Sequence, residues 1–337
     1  MIERLLNVIK HANNKQIVVI GDIIADEFIY GQLSRMSREA PVLILKYDSS
    51  TVLPGGAGNT AANVAALGGR ARLVGLVGRH DIDRQLVRSL PKGVDCSGLV
   101  RPQGYQATLK TRILAGGLHS SRQQVVRIDR ETQIPKDSRT QLDFERAVRK
   151  SLVGCDAVLL SDYGSGLVTP KLVSTIKKFL KSSRRRNPIP IVADSRYKLL
   201  RYRGLTACTP NESEVEQMLN VSVGNDPRKL EKAGREILRR NRFKGLVLTR
   251  GSRGMAVFVP GRRTVHIPIF GTDEVADVTG AGDTVIATVT LALAAGASLY
   301  EAAHLANCAG GLVVMKRGTA TVSVVELRNA IQDNLLK

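Results

Sequence analysis

The chain has 337 residues, 43% of them hydrophobic but only 4% aromatic and none of them Trp, so it can bury a large core made of aliphatic side chains. Fifty Lys plus Arg against thirty Asp plus Glu leave a formal charge of +20, which favours anionic partners; no nucleic-acid module or aromatic stacking platform accompanies it, so specific nucleic-acid binding is not expected. No apolar run reaches the roughly 18 residues of a membrane span, and Cys96, Cys155, Cys208 and Cys308 lie far apart with no C-x-x-C pair, as free thiols of a reducing cytoplasm would.

Residues 1–11 read as an amphipathic helix rather than a secretory leader. Residues 16–21, Q-I-V-V-I-G, are a short continuous apolar run, the pattern of a central parallel strand buried on both faces. That strand puts Asp22 at its C-terminal end, where open α/β sheets bind ligands. Asp26 follows, and either acid also reads as a turn or cap residue. Residues 27–31 and 41–47 predict two strands joined by 32–40, and 108–114 and 123–129 a second pair around Ala115-Gly116-Gly117. No crossover helix separates the members of either pair, so both suit a small antiparallel lid, within about 22–50 and 105–130, rather than the main sheet. Strand alternation sets Lys110 and Arg112 on one face of their strand, and Arg127 and Asp129 on one face of theirs. These are lid residues facing a substrate, or charges guarding an exposed edge.

Between the two pairs, Leu53-Pro54-Gly55-Gly56-Ala57-Gly58-Asn59 opens a helix that runs to residue 67. Gly56-x-Gly58-x-x-Ala61 with Asp81 beyond it is a loose dinucleotide fingerprint, weakened because 48–54 separates it from the preceding strand. Strands and helices then alternate: a strand over 71–77, helices over 82–90 and 141–152, and a strand over 157–160 ending in Ser161-Asp162-Tyr163-Gly164. A helix over 171–183 follows, then a strand over 189–193 ending at Asp194, and another ending at Thr209-Pro210-Asn211 with Glu214 one turn into the next helix. This order predicts a doubly wound, mostly parallel sheet with helices on both faces. It brings Asp194, Asn211, Glu214 and Asp162 to one edge, although Asp162 also reads as a turn residue. Asn211 and Glu214 have the spacing of a capping box as well. The helical stretches 171–186, ending in Arg184-Arg185-Arg186, and 228–244 carry basic, solvated faces. Residues 246–249 predict a strand, followed by the turn Arg250-Gly251-Ser252-Arg253-Gly254.

Asp277-Val278-Thr279-Gly280-Ala281-Gly282-Asp283-Thr284 precedes the small and apolar run 285–297, read as a buried helix. Amides at a helix N-terminus have no intrahelical acceptor and sit at the positive end of the macrodipole, so Gly280, Ala281 and Gly282 form an anion site. Asp283 adds a carboxylate beside that anion. It is either a general base for a hydroxyl attacking a phosphoryl group, which needs no raised pKa for that work, or a complement to the helix dipole. A helix over 298–316 carries Asn307, and 323–336 predicts a docking helix. No G-x-x-x-x-G-K-[ST] string occurs, so phosphate binding has to be built from other parts.

D-V-T-G-A-G-D-T resembles the signature of the ribokinase-like sugar kinases, the phosphofructokinase-B family, and the other strings fall in that family's order over nearly the whole chain. The resemblance implies one kinase domain over 1–337 with a ribokinase-like fold. It implies an anion hole at Gly280, Ala281 and Gly282, Asp283 as the base, and sugar contacts from Asp22 or Asp26, Gly55, Gly56 and Asn59. It further implies Mg²⁺ organised through water by Asn211 and Glu214, a nucleotide lying along Asp194, Asn211, Thr249, Gly251 and Gly254, and Asn307 near adenine. ATP and Mg²⁺ are the expected cofactors, with a monovalent cation near Asp277 and the 318–323 turn, and a homodimer through the lid as the expected assembly.

Within the family, Gly21-Asp22, Tyr30-Gly31, Ser34-Arg35, Glu39-Ala40-Pro41-Val42, Leu160-Ser161-Asp162-Tyr163 and the tail Lys316-x-Gly318-Thr319-x-Thr321-Val322-Ser323 resemble the members that phosphorylate O1 of D-glycero-D-manno-heptose 7-phosphate for the lipopolysaccharide core. Lys110, Arg112 and Arg127 would then grip the distant phosphate. Such kinases are often fused to an adenylyltransferase bearing H-x-G-H. None of the five histidines opens that motif, so the kinase half alone is expected. Ser37-Arg38-Glu39 and Asp194-Ser195-Arg196 depart from the pattern on the substrate and phosphate sides. The alternatives are another sugar kinase of the family, of fructokinase, ribokinase or ketodeoxygluconate kinase type; a nucleotide-dependent oxidoreductase resting on the fingerprint; and a basic nucleic-acid-binding protein resting on the charge.

Overall fold

The computed structural model describes residues 1–116, 122–182, 187–224, 226–271, 277–316 and 318–333; the Arg184-Arg185-Arg186 run lies outside the described residues. In chain order the elements are α1 (Ile2–Ala12), β1 (Gln16–Gly21), β2 (Ile23–Met36), β3 (Leu43–Gly56), α2 (Ala57–Ala66), β4 (Arg70–Leu76), α3 (Asp81–Ser89), β5 (Val94–Val100), β6 (Thr108–Gly116) and β7 (Gln123–Arg130). They continue with α4 (Ser138–Leu152), β8 (Ala157–Asp162), α5 (Pro170–Ser182), β9 (Ile191–Ser195), β10 (Ala207–Cys208), α6 (Glu212–Leu219), α7 (Pro227–Asn241), β11 (Leu246–Thr249), β12 (Met255–Phe258), β13 (Val265–Ile267), α8 (Ala281–Ala294), α9 (Leu299–Val313) and α10 (Val324–Asp333).

The main sheet has the order β10-β9-β8-β1-β4-β5, and every pairing in it is parallel. A parallel bridge between Asn211 and Thr249 continues it into the antiparallel β11-β12-β13. The apolar run of β1 is fully buried because both faces are covered, and alternation divides it between two cores. Ile17 and Val19 pack with residues of α2, α8 and α9 on one side, Val18 and Ile20 with residues of α4, α5 and α7 on the other. Helix α8 lies inside the first layer, and every residue from Asp283 to Ala292 is buried. That explains why it reads as apolar all round rather than amphipathic. No helix among the described residues is long and apolar enough to cross a membrane.

A second sheet, β3-β2-β6-β7, projects from the strand C-terminal edge. Its hairpins β2–β3 and β6–β7 are antiparallel, and they meet along a parallel β2–β6 seam. Strands β2 and β3 are each 14 residues long, well beyond the predicted segments, and only 37–42 connects them. The stretch 32–36, Q-L-S-R-M, is exposed throughout, so no buried face imposes a strand's alternation on it. Strand β3 runs through Gly56 straight into α2, so residues 48–54 do not separate a strand from the glycines. The fingerprint fails for a different reason: β3 belongs to the lid and β4 to the main sheet, so no parallel βαβ unit surrounds it. Asp81, its would-be ribose acid, is an exposed partner of Arg84. Strand β5 was not legible, because this sheet-edge strand has only two buried residues and no clean alternation. The root of β6 is held by Asp83, which is 0% exposed and accepts the amides of Gly78 (2.9 Å), His80 (3.1 Å) and Ala107 (2.9 Å).

Candidate active site

Helix α8 begins at Gly280, whose φ of 78° belongs to the left-handed region. A Cβ there would lie 2.6 Å from the Asn59 amide nitrogen, so only glycine allows the helix to start against α2. The Ala281 amide donates back to Val278 O (3.2 Å). Among the described residues the Gly282 and Asp283 amides have no backbone acceptor, which leaves two donors at the positive end of the helix, the chemistry that suits an anion.

Asp283, 3% exposed, is gripped from three sides. Its Oδ2 accepts from Asn59 Nδ2 (2.8 Å), and its Oδ1 accepts from Thr60 Oγ1 (3.0 Å) and the Tyr163 hydroxyl (3.1 Å). Burial pushes its pKa up to about 6, against the pull of those three hydrogen bonds. A carboxylate in that state is a competent acceptor for a hydroxyl proton near neutral pH. The network extends inward: Asn63 donates to Asn59 Oδ1 (3.2 Å), and Thr284 donates to Asn63 Oδ1 (2.9 Å), fixing α2 against α8.

The two leading acids have different surroundings. Asp22 is consumed by the loop after β8: its Oδ2 accepts from the amides of Tyr163 (2.8 Å) and Ser165 (3.3 Å), and its Oδ1 from the Ser165 hydroxyl. Burial raises its pKa. Asp26 lies in the lid, buried against Gly55, where a Cβ would come within 2.2 Å of its Oδ2. It pairs with Arg112, also buried. The register puts Asp26, Lys110 and Asp129 in one row of the lid and Phe28, Arg112 and Arg127 in the next. Arg112 stacks over Phe28 (5.3 Å), and Arg127 is bidentate to Asp129 (2.8 and 2.9 Å) on the exposed strand β7. Two of the three expected phosphate cations are therefore already paired within the lid. Lys110 is the exception. Its ammonium sits 5.3 Å over the Tyr163 ring, closes no salt bridge among the described residues, and has its pKa lowered by burial, with Asp26 pulling the other way.

At the neighbouring strand ends, Asp194 lies beside the helix entrance, its Oδ2 3.8 Å from where a Gly282 Cβ would be. Its pKa is pushed well up by burial and then by Glu214, and burial also raises that of Glu214. Asn211 and Glu214 close the capping box that their spacing suggests: Glu214 N donates to Asn211 Oδ1 (2.8 Å) and Asn211 N to Glu214 Oε2 (2.9 Å). No group of three or more His, Cys, Asp or Glu among the described residues could cage a metal. Two crowded carboxylates with an amide oxygen nearby do fit a hard divalent cation that keeps most of its water. Thr249 pairs with Asn211, and the Gly251 to Gly254 turn follows directly, Arg250 N donating to Gly254 O (2.9 Å). Asn307 is buried on α9 with its amide spent on Pro268 O (2.7 Å). Asp277 accepts from Thr279 N and Gly318 N (both 2.9 Å); these bonds and the Arg112 charge overcome the opposing effect of burial and lower its pKa.

Sequence reading missed Thr60, Tyr163 and Ser165. Thr60 adjoins a candidate and could have been drawn from the helix register. Tyr163 and Ser165 could not, since their partners lie 120 and 143 residues away. Asp162, the candidate in that string, turns inward to accept from Ser195 Oγ (2.6 Å), the Tyr202 hydroxyl and Gly164 N (3.1 Å).

Residues 14–326 match the model of the pfkB family carbohydrate kinases. The chain is 38% identical over 322 residues to the bifunctional protein HldE of Geobacter sulfurreducens, covering 94% of this chain and 63% of that protein. It is 39% identical over 317 residues to the protein of the same name from Caulobacter vibrioides, covering 93% and 62%. The chain thus spans less than two thirds of the length of these relatives. Among solved structures, Arabidopsis thaliana ribokinase complexed with ribose and ATP superposes with a TM-score of 0.71 at 18% identity over 95% of this chain and 99% of that one. Phosphofructokinase-2 from Escherichia coli, in complex with substrates and products, does so at 0.72 and 19%, with the same coverage. These likenesses show the fold.

Proposed function

The chain belongs to the pfkB family of carbohydrate kinases, ATP-dependent sugar kinases, and from that premise we propose that its acceptor is a heptose 7-phosphate, phosphorylated at the anomeric hydroxyl O1. The observation that carries this reading is Lys110. A half-buried ammonium with a depressed pKa and no salt bridge among the described residues, on the lid face that meets Tyr163, calls for an anionic group on the ligand. The likeness to the HldE proteins over nearly the whole chain, and the strings of the N-terminal third, support the same acceptor.

In this reading Asp283, positioned by Asn59, Thr60 and Tyr163, takes the proton of the attacking hydroxyl as the γ-phosphoryl group leaves ADP. The amides at the start of α8 hold the charge that develops on the phosphoryl oxygens. Mg²⁺, when held through water by Asn211 and Glu214 beside Asp194, supplies neutralisation of the triphosphate charge. The lid excludes water from the activated phosphate. Phosphofructokinase-2 from Escherichia coli has been solved in complex with potassium, and a monovalent cation near Asp277 and the 318–323 turn belongs to the present reading too. So does a homodimer through the lid, whose exposed Leu33, Met36, Val42, Leu43, Tyr47 and Val126 are costly to leave in water.

One observation favours a second reading, a neutral sugar as acceptor: Asp26 and Asp129 already neutralise Arg112 and Arg127. ADP release from the purified chain with heptose 7-phosphate, fructose, ribose, fructose 6-phosphate and ketodeoxygluconate, each over a range of concentrations, separates the two. Preference for the heptose phosphate by kcat/KM is expected, and preference for an unphosphorylated sugar refutes the proposal.

A further inference from the structure

The excess positive charge does not lie only where anionic substrates enter. The candidate site occupies the C-terminal edge of the main sheet, whereas at the opposite edge the last turns of α5 and α7 meet the connections into β10 and β11 around Gly204. Lys177 Nζ donates to Arg203 O (2.8 Å), the Arg203 guanidinium donates to Arg240 O, Gly204 N donates to Asn241 O (2.8 Å), and Lys244 N donates to Leu205 O (3.0 Å). These contacts gather Lys177, Lys181, Arg203, Arg240, Arg242 and Lys244 on one face; all are exposed except Lys177, which is half-buried. None of the six closes a salt bridge among the described residues. Burial, and then the charges of Lys181 and Lys244, hold the Lys177 pKa below its ordinary value.

Cations in the last turn of a helix complement its dipole, which accounts for Lys181 on α5 and for Arg239 and Arg240 on α7. Arg242 caps the C-terminus of α7 and shares that role, whereas Arg203 and Lys244 lie in the connections and are not explained in that way. The nearby aromatic residues, Tyr202 and Phe243, are 1% and 2% exposed, so the face offers nothing to stack on bases. Both helices present C-termini here, not the N-terminal residues with which a recognition helix reads a groove. What remains is a polar, cationic surface of the kind that holds to acidic headgroups, where clusters of about four to eight Lys and Arg give salt-sensitive attachment.

We propose that this basic face docks the protein reversibly on a lipid surface rich in acidic phospholipid. Docked through the strand N-terminal edge, the molecule keeps the opposite edge and its lid open to water and to small substrates. Attachment is electrostatic alone, so it weakens steeply as salt shortens the reach of the charges.

Co-sedimentation of the full chain with phosphatidylcholine vesicles, with and without phosphatidylglycerol, at low and near-physiological salt, tests this. One variant combines Lys181→Gln, Arg240→Gln, Arg242→Asn and Lys244→Gln; Asn suits position 242 because its φ is 53°. A control variant removes the same charge from the exposed face of α4 through Arg139→Gln, Arg146→Gln, Arg149→Gln and Lys150→Gln. The expected result is salt-sensitive binding to the acidic vesicles alone, a loss on the order of 10²- to 10³-fold in the first variant, and a much smaller loss in the control. Sugar-kinase turnover in the first variant should equal that of wild type. Absence of wild-type binding to acidic vesicles, equal losses in both variants, or loss of turnover in the first would each overturn the proposal. So would retention on duplex DNA at a salt concentration that strips the vesicles, abolished by the first variant, since the partner would then be nucleic acid.

Discussion

Asp283→Asn changes the charge at the centre of the candidate site and almost nothing in its outline. The three groups around the carboxylate remain usable: Asn59 Nδ2 still finds a carbonyl oxygen, and the Thr60 and Tyr163 hydroxyls can turn to accept from the new amide. Removing the base should lower turnover by about 10² to 10⁴ while ATP binding stays near wild type. Stability should move the other way. The folded carboxyl has its pKa raised from 3.8 to about 6, mainly by burial. Its favourable contribution is therefore fully present below the unfolded pKa, where the group is neutral in both states, and is lost as pH rises through about 6. Raising the pKa from 3.8 to about 6 corresponds to roughly 3 kcal/mol. The variant and wild type should thus unfold at the same urea concentration near pH 4, and the variant should be the more stable by roughly 2–3 kcal/mol at about pH 8. Circular dichroism is the suitable probe, since the chain has no Trp. The kcat/KM of the wild type should fall on the acid side of about pH 6, and the residual activity of the variant should lack that limb. Near-wild-type turnover would make Asp283 a dipole-complementing residue. A variant less stable than wild type at pH 8 would show that the three hydrogen bonds outweigh burial.

Asp22→Ala should release the amides of Tyr163 and Ser165 and so the hydroxyl that steadies Asp283; turnover should drop, with a stability loss of about 1–3 kcal/mol in urea, and unchanged turnover would separate Asp22 from the catalytic loop. Lys110→Ala should raise KM for heptose 7-phosphate about tenfold or more and leave weak activity on an unphosphorylated sugar alone, whereas equal losses on both would assign it to lid structure. Arg112→Ala should instead reduce activity on both substrates and cost about 3–5 kcal/mol, because it strands the buried Asp26 charge; a stable variant with normal kinetics refutes that. Joint replacement of Arg184, Arg185 and Arg186 by Ser should leave turnover at saturation unchanged and alter only a salt-sensitive capture rate, and a collapse of turnover would put the run in the site.

The parallel sheet and its two helix layers were legible because burial on both faces forces continuous apolar strands, and the strand ends then point to one edge. Gly280 and Asp283 were legible for a similar reason: a helix N-terminus is a local feature, and glycine followed by an acid marks it wherever it occurs. The extent of the lid was not, since β2 and β3 run on through residues exposed to water, where no alternation is imposed. Nor did spacing tell Asp22 from Asp26. Both are buried acids on the leading segment, and only packing gives one to the loop after β8 and the other to Arg112. The sequence by itself determined the alternation of the buried strands and helices, the glycine-led entrance of α8 and the family to which the chain belongs. The tertiary structure alone decided the partners of each charge: which carboxylate is held by Asn59, Thr60 and Tyr163, which cations are spent on lid acids, and where the uncompensated charge lies. Those partners come from segments up to 224 residues apart, and side-chain chemistry has no periodicity that could announce them in advance.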